Sequence, residues 1–396
     1  MNILYIHQYF VTPNEPGGTR SYWISQELIK KGHKVVMLTS SSKINEKVKQ
    51  INIDGIDVIY IKEKYEQNMS VMRRLIAFVN FMIKAIFYGF KQKDIDLVIA
   101  TSTPLTIGIP ALLFKWFKKI PFIFEVRDLW PEVPIQMGAI KNKFFIACSR
   151  WIEKIIYKNS EHIIALSPGM QDGVIKYVPK NKTTVIPNMA KIDEFFPREK
   201  NYQMIEELGL KKETFKIIHF GSLGIANGAQ YIVESAKLLS QTEDVEFVFL
   251  GGGSTEKTLV DAVKNYELRN VKFLGSFPMK QTAQIVNLCD VSIVSFLDLP
   301  ILYTNSPNKL FDSLSAGKPI IVNSAGWTKD LVEDNECGYY VNPKHPEELV
   351  EKILYLKRNS EIIKRFGSNS RYLAENQYDK KILCKKFVDL IEAKYV

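Results

Sequence analysis

Asn305-Ser-Pro-Asn-Lys-Leu-Phe-Asp-Ser-Leu-Ser-Ala-Gly-Lys-Pro-Ile320 reads as a loop, then a short helix, then a strand. Pro307 fixes φ and suits a first helical turn, where its missing N–H costs nothing. Leu310, Phe311 and Leu314 recur at three- and four-residue spacing and form one apolar face. Gly317 is placed to end the helix, and Pro319 blocks any continuation. Ile320–Val322 then opens a strand.

The chemistry of this segment lies at its start. Backbone N–H groups at a helix N-terminus are unpaired and partly positive, so they can hold a phosphate. Lys309 adds a full charge there, and Asp312, one turn along, can accept hydrogen bonds from a ribose diol. Together they suggest a nucleotide-sugar site. On spacing alone, the same residues describe an ordinary capped helix.

Working outward, the second half repeats a strand–loop–helix unit. Lys216–Phe220 is a strand followed by Gly221-Ser-Leu-Gly-Ile-Ala-Asn-Gly228, and Val245–Leu250 is followed by Gly251-Gly-Gly-Ser254. Val271–Leu274 leads into Gly275-Ser-Phe-Pro278, and Val291–Ser295 runs into the opening segment. The first half has the same rhythm. Asn2–Tyr9 is a strand, Pro13–Arg20 a loop, and a helix to about Lys31 precedes the strand Val35–Thr39. This is βαβ patterning, but Gly17-Gly18 is not GxGxxG and taken alone is also a plain turn. The expected fold is α/β, with two Rossmann-like doubly wound domains in tandem. Polar Asp193–Lys200 marks the linker. The expected division is 1–190, a linker at 191–200, 201–372, and a terminal segment 373–396. Ser360–Val396 reads as helical throughout.

The 396 residues carry a net charge of +10. Residues 1–195 hold 27 Lys and Arg against 17 Asp and Glu, while the remainder balances, so the excess belongs to the first half. A basic domain joined to a neutral one implies an anionic partner for that domain. Met72–Lys91, Leu112–Ile120 and Lys141–Lys158 are apolar and aromatic stretches rimmed by Lys and Arg. Asn80 and Lys84 break the first, so a membrane-spanning helix is not expected. Such faces suit helices lying in the interface of an anionic membrane, or core-facing helices with solvated basic edges. The four cysteines form no CxxC pair and the five histidines show no metal-ligand spacing. The N-terminus lacks a basic region before its apolar run, so no signal peptide is expected.

Phe122-Ile-Phe-Glu-Val-Arg-Asp128 ends an apolar strand with three ionisable residues, Glu125, Arg127 and Asp128. In open α/β sheets the carboxyl ends of strands carry the functional groups. A structural ion pair is the alternative.

Several stretches resemble the retaining glycosyltransferases of family 4. They are Phe124-Glu-Val-Arg-Asp-Leu-Trp-Pro-Glu132, Leu166-Ser-Pro-Gly-Met170, Val185-Ile-Pro-Asn188, Leu274-Gly-Ser-Phe-Pro278 and Ser306-Pro-Asn-Lys-Leu-Phe-Asp312 with Ala316-Gly-Lys-Pro319. The landmarks fall in family order along nearly the whole chain. Arg127-Asp-Leu-Trp-Pro and Ser306-Pro-Asn-Lys most resemble bacterial L-fucosamine transferases of O-antigen and capsule assembly. The resemblance implies a GT-B fold with the site between domains, no metal, and a last helix that crosses back to the first domain. It implies UDP-sugar binding by Ser222, Gly224, Asn227, Gly253, Lys257, Ser276 and Phe277, and by Asn305, Ser306, Pro307, Asn308 and Asp312. Gly17, Gly18 and Arg20 would contribute from the other domain.

The chain departs from the family pattern at identifiable places. Asp312 matches the second of two glutamates separated by seven residues, and Thr304 stands at the first. A basic pair falls at Ser222 and Asn227, and a histidine at Arg127. Lys309 and Lys257 are the candidates to meet the diphosphate. Asp128 or Glu125 would orient the acceptor hydroxyl.

The expected protein is a cytoplasmic enzyme, peripheral on the inner face of the bacterial membrane. It would transfer a sugar such as N-acetyl-L-fucosamine to a polyprenyl-diphosphate-linked acceptor, without nucleic acid. A GT-B epimerase of UDP-sugars and a basic nucleic-acid binder are the alternatives. The second lacks any recognition motif.

Overall fold

The computed structural model describes residues 1–15, 17–65 and 69–395. Pro16 in the first loop and Val396 at the tail lie outside them. The first sheet contains β1 (Asn2–Ile6), β2 (Lys34–Ser41), β3 (Val48–Ile53), β4 (Ile56–Lys62), β5 (Leu97–Thr101), β6 (Phe122–Val126), β7 (His162–Ala165) and β8 (Thr183–Val185). Their spatial order is β3-β4-β2-β1-β5-β6-β7-β8. All neighbours are parallel except β3, which runs antiparallel to β4. The second sheet contains β9 (Phe215–Phe220), β10 (Val245–Leu250), β11 (Val271–Gly275), β12 (Val291–Val294), β13 (Ile320–Val322) and β14 (Gly338–Tyr340). Its order is β11-β10-β9-β12-β13-β14, all parallel.

The near-continuous apolar runs have a direct cause. Helices cover both faces of a parallel sheet, so every position along β5, β6 and β10 is buried. The strand order reverses beside β1 in one sheet and beside β9 in the other. Crevices open at such switch points, beyond the carboxyl ends of the strands.

Two chain segments join the domains, and they lie against each other. Ala190 N–H donates to Tyr378 C=O at 2.7 Å, and Lys380 N–H donates to Ala190 C=O at 2.9 Å. The final helix, Lys380–Tyr395, packs on the first domain, where Phe387, Val388 and Ile391 share a core with Ile3, Tyr5 and Leu28.

The tail is not helical throughout. Asp379 is extended, with φ −53° and ψ 135°, and separates the Ala374–Tyr378 turn from the last helix. Pairing with Ala190 requires that break. The linker also does more than span a gap, since its Lys191 and Phe195 are buried. Pro307 stands one residue before the Asn308–Ser315 helix, as its N-cap.

Candidate active site

A cavity of about 450 Å³ lies between the two domains. This is within the ordinary size range of small-molecule sites. The C-terminal ends of the second sheet's strands supply its floor through Gly221, Ser222, Asn227, Ser276 and Phe277. Asn308, Lys309 and Asp312 enter from the Asn308–Ser315 helix, and Gly17 and Gly18 close it from the first domain.

Lys309 and Lys191 are the lysines among the cavity's lining residues, and Lys309 stands on its floor. Its ammonium donates to Asn227 Oδ1 at 3.0 Å and stands 2.9 Å from His219 Nε2. Gly221 beside it has φ +98°, a conformation that favours glycine, and lies in ordinary contact range of the Lys309 stem. Asn227 stands where the resemblance leads one to expect a basic residue, and Lys309 brings its ammonium to Asn227 from another element. The charge is not a free one. Burial pushes the Lys309 ammonium down to about 7. The first two amides of the helix, those of Asn308 and Lys309, find no backbone acceptor among the described residues.

Asp312 faces the linker. The Lys191 ammonium lies 2.9 Å from Oδ1 and donates to Oδ2 at 3.1 Å. Burial raises the Asp312 carboxyl and Lys191 opposes that shift. The same ammonium lies 5.4 Å from the centre of the Phe195 ring.

The first domain meets this floor closely. A Cβ on Gly18 would lie 3.0 Å from Asn308 Nδ2 and 3.3 Å from Arg127 Nη2. Arg127 is oriented by His7, whose Nε2 lies 3.1 Å from Nη1, while His7 Nδ1 lies 2.8 Å from Ser21 Oγ. A guanidinium has donors alone, so His7 Nε2 accepts and Nδ1–H donates to Ser21. Burial, then the Arg127 charge, holds His7 well below its ordinary value and keeps it neutral. Asp128 accepts from Thr103 Oγ1 at 2.9 Å, and burial raises its carboxyl.

Several expected site residues lie elsewhere. Arg20 and Glu125 pair with each other inside the first domain, with Nε 2.7 Å from Oε1 and side chains 1% and 0% exposed. Arg20 also donates to the carbonyls of Pro187 and Ile186, and Glu125 accepts from Thr101 Oγ1. Their hydrogen-bonding capacity is spent on holding the Arg20–Lys30 helix to β6 and the segment after β8, so neither lines the cavity. Lys257 is exposed on the Glu256–Asn265 helix and does not line it. Gly224 lines a separate depression with Thr255 and Thr258. A Cβ on Gly253 would meet the Leu223 backbone at 2.6 Å, so this glycine packs loop against loop.

The Asn305–Pro307 segment forms a domain latch outside the cavity lining. Asn188 N–H donates to Ser306 Oγ at 3.1 Å, and Asn188 Nδ2 donates to Ser306 C=O. Ser167 Oγ donates to the Thr304 carbonyl, and Trp327 Nε1 donates to that of Asn305. The Ser-Pro-Gly and Pro-Asn motifs of the first domain thus grip the loop that precedes the Asn308–Ser315 helix.

A second surface lies on the first domain. Phe117 (73% exposed), Phe144 (71%), Met72 (66%) and Trp151 (65%) project from three helices, Val71–Phe90, Gly108–Lys118 and Lys143–Asn159. Arg73, Lys119, Lys141 and Lys143 are exposed on or beside the same helices. Lys84 and Lys115 are instead paired, with Glu63 at 2.7 Å and Glu161 at 2.6 Å. No helix among the described residues is long and apolar enough to cross a membrane.

Lys191, His219, His7 and Phe195 were not legible as site residues. Lys191 and Phe195 sit in a polar linker, and the two histidines stand at strand ends without a motif around them. The position at a parallel strand's carboxyl end was the available signal for the histidines.

Two family descriptions match the chain in tandem. Residues 17–189 match a glycosyl transferase 4-like domain and residues 201–372 match glycosyl transferases group 1. An uncharacterized glycosyltransferase of Methanocaldococcus jannaschii is 24% identical over 313 residues, 78% of each chain. The UDP-N-acetylglucosamine–N-acetylmuramyl-(pentapeptide) pyrophosphoryl-undecaprenol N-acetylglucosamine transferase of Bacteroides fragilis is 26% identical over 204 residues, 47% of this chain and 53% of that one. Among solved structures, Anabaena HepE in complex with UDP-glucose superposes with a TM-score of 0.74 at 18% identity, covering 99% of this chain and 100% of that one. The paired sheets, the cavity between them and the two tandem matches together place the chain among the group 1 and family-4-like glycosyltransferases of GT-B fold.

Proposed function

We propose that this glycosyltransferase takes a UDP-sugar as donor and transfers the sugar, with retention of anomeric configuration, to a polyprenyl-diphosphate-linked sugar at an anionic membrane. The observation that carries this reading is the position of Lys309 and the first amides of its helix on the cavity floor, one turn from Asp312. A leaving diphosphate gathers negative charge as the glycosidic bond breaks, and fixed donors aimed at that charge lower the barrier. Asp312 would hold the ribose, and Ser276 and Phe277 would border the base. Arg127, aimed by His7, would face the donor's sugar end. Asp128, held by Thr103, would orient the acceptor hydroxyl on the same face as the departing diphosphate. Domain closure excludes water from a sugar with oxocarbenium character. No metal is required in this scheme, because Lys309 and the helix amides meet the charge.

The acceptor side rests on the exposed apolar and basic face of the first domain and on the relative named for a pyrophosphoryl-undecaprenol substrate. A helix face of this kind buries its apolar side chains at the headgroup boundary while its cations meet anionic lipid. The donor sugar we assign is an N-acetylated deoxyhexosamine such as N-acetyl-L-fucosamine, in O-antigen or capsule synthesis at the inner face of the cytoplasmic membrane. The test is release of UDP from a panel of UDP-sugars, with and without polyprenyl-diphosphate-linked sugars and with EDTA present, and NMR of the product's anomeric configuration. Acceptor-dependent UDP release in EDTA supports the reading. An inverted product overturns retention, and release without acceptor redirects the assignment to hydrolysis or epimerisation.

A further inference from the structure

Lys309 has an unusual environment for a buried cation. It is 8% exposed, and no carboxylate among the described residues lies within ion-pair distance of its ammonium. Its contacts are neutral: Asn227 Oδ1 from the loop after β9, and His219 Nε2 from β9 itself. The other charged groups nearby are already committed. Asp312, one turn along the helix, is held by Lys191 of the linker, and Arg127 across Gly18 is held by His7.

His219 is shaped for one role here. Toward the ammonium, which donates and does not accept, His219 Nε2 is the acceptor and the imidazole neutral. It is 1% exposed, and burial, then the Lys309 charge, holds it well below its ordinary value. Its other nitrogen, Nδ1, is buried without a hydrogen-bond partner among the described residues. The ring lies 5.9 Å from the Phe249 ring in the sheet's core, and its hydrogen bond is the one to Lys309 among the described residues.

Resting on the reading of the cavity as a nucleoside-diphosphate site, we propose that His219 is a positioning residue that aims Lys309 at the donor's diphosphate, and that diphosphate binding draws a proton from solvent onto Lys309. The described protein groups around Lys309 offer its ammonium no carboxylate at ion-pair distance, and a diphosphate supplies that counter-charge. The proton comes from the buffer and adds to the amine's lone pair, giving an ammonium that donates to phosphate oxygen and to His219 Nε2. The burial that lowers Lys309 to about 7 makes this uptake measurable near neutrality. Below that pH the lysine is already charged and no proton is needed. Above it, the affinity for a diphosphate falls by up to about tenfold per pH unit.

The experiment is calorimetric titration of the full chain with UDP at about pH 8, where the diphosphate is itself fully ionised. Two buffers of unlike ionisation enthalpy give the protons exchanged per UDP bound. The wild type is expected to take up close to one proton and Lys309→Arg none, since arginine stays charged at this pH. Affinity of the wild type should weaken up to about tenfold from pH 7 to pH 8, and that of Lys309→Arg should stay flat. His219→Ala should weaken UDP about tenfold and leave uridine unchanged, and His219→Asn, which keeps an acceptor, should restore most of the loss. If no variant and not the wild type binds UDP, the nucleotide reading itself is overturned. If UDP binds but proton uptake is equal in wild type and Lys309→Arg, proton linkage at Lys309 alone is overturned. UDP affinity in both His219 variants equal to wild type overturns the positioning role.

Discussion

The Lys191 ammonium lies 2.9 Å from the Asp312 carboxylate, with side chains 6% and 9% exposed. One partner comes from the segment that joins the domains and the other from the helix that forms the cavity floor. Removing one partner of a buried pair strands the other charge, at about 3–5 kcal/mol. Asp312→Ala should therefore both destabilise the fold and weaken UDP binding. Lys191→Met combined with Asp312→Leu should recover most of the stability and none of the UDP affinity. Urea unfolding and UDP titration of the three variants separate the two effects.

Lys309→Ala should lower the transfer rate by about 10²–10³, the usual effect of losing a donor aimed at developing charge. Its far-ultraviolet circular dichroism should match the wild type. Initial rates at saturating donor are the measurement, and undiminished turnover would remove Lys309 from catalysis.

Arg20 and Glu125 should act on stability and hardly on turnover. Glu125→Ala leaves a buried guanidinium with two carbonyl partners and no counter-charge, at about 3–5 kcal/mol. The protein that remains folded should keep its KM for donor. A raised KM without a loss in unfolding free energy would return the pair to the site.

Acid should destabilise the ligand-free protein through its buried imidazoles. His7 and His219 are both held well below their ordinary value, so each takes up a proton on unfolding. Their stabilising effect is present above the unfolded value near 6.5 and is lost as pH falls below it, by up to about 1.4 kcal/mol per unit for each. Unfolding between about pH 7 and pH 5 measures the slope, and His7→Gln should reduce it by the share of one group.

The exposed apolar face should set membrane affinity. Burying a Phe side chain gains about 1.5–3 kcal/mol, so Phe117→Ser and Phe144→Ser should each weaken binding to anionic vesicles roughly tenfold or more. Arg73→Gln should weaken it less and make it less sensitive to salt. Flotation with phosphatidylglycerol vesicles reads both effects, and activity on a water-soluble acceptor analogue should be untouched.

The two-domain architecture was legible because parallel strands and their glycine turns leave local marks. Apolar runs such as Leu97–Thr101 and turns such as Gly251–Gly253 fall at regular intervals. The cavity floor was legible for the same reason, since Ser222, Asn227, Ser276, Asn308, Lys309 and Asp312 all follow strands or open a helix. What the chain does not encode locally is how long side chains choose partners. Arg20 and Glu125 are 105 positions apart, and Arg20 follows a glycine pair that invites a phosphate reading. Lys191 and Asp312 are 121 positions apart, and Lys191 stands in a stretch whose polarity marks a spacer. The Asn305–Pro307 loop reads as ligand-binding because it precedes a helix, yet Asn188 takes the Ser306 hydroxyl and carbonyl and Trp327 the Asn305 carbonyl.

The pairing of Ala190 with Asp379 fixes how this enzyme can open. Both covalent connections between the domains pass through one point and are stitched there by two hydrogen bonds. With both connections stitched at one edge, the halves rotate about that edge like the covers of a book, once the Asn188–Ser306 and Ser167–Thr304 contacts of the latch let go. Lys191, next to the spine, travels least, so its grip on Asp312 outlasts the early degrees of rotation. Gly18 and Asn308, which face each other closely from opposite halves, part as the covers turn. On the proposed reading of the cavity, a spent nucleotide would then leave while Lys191 still steadies Asp312.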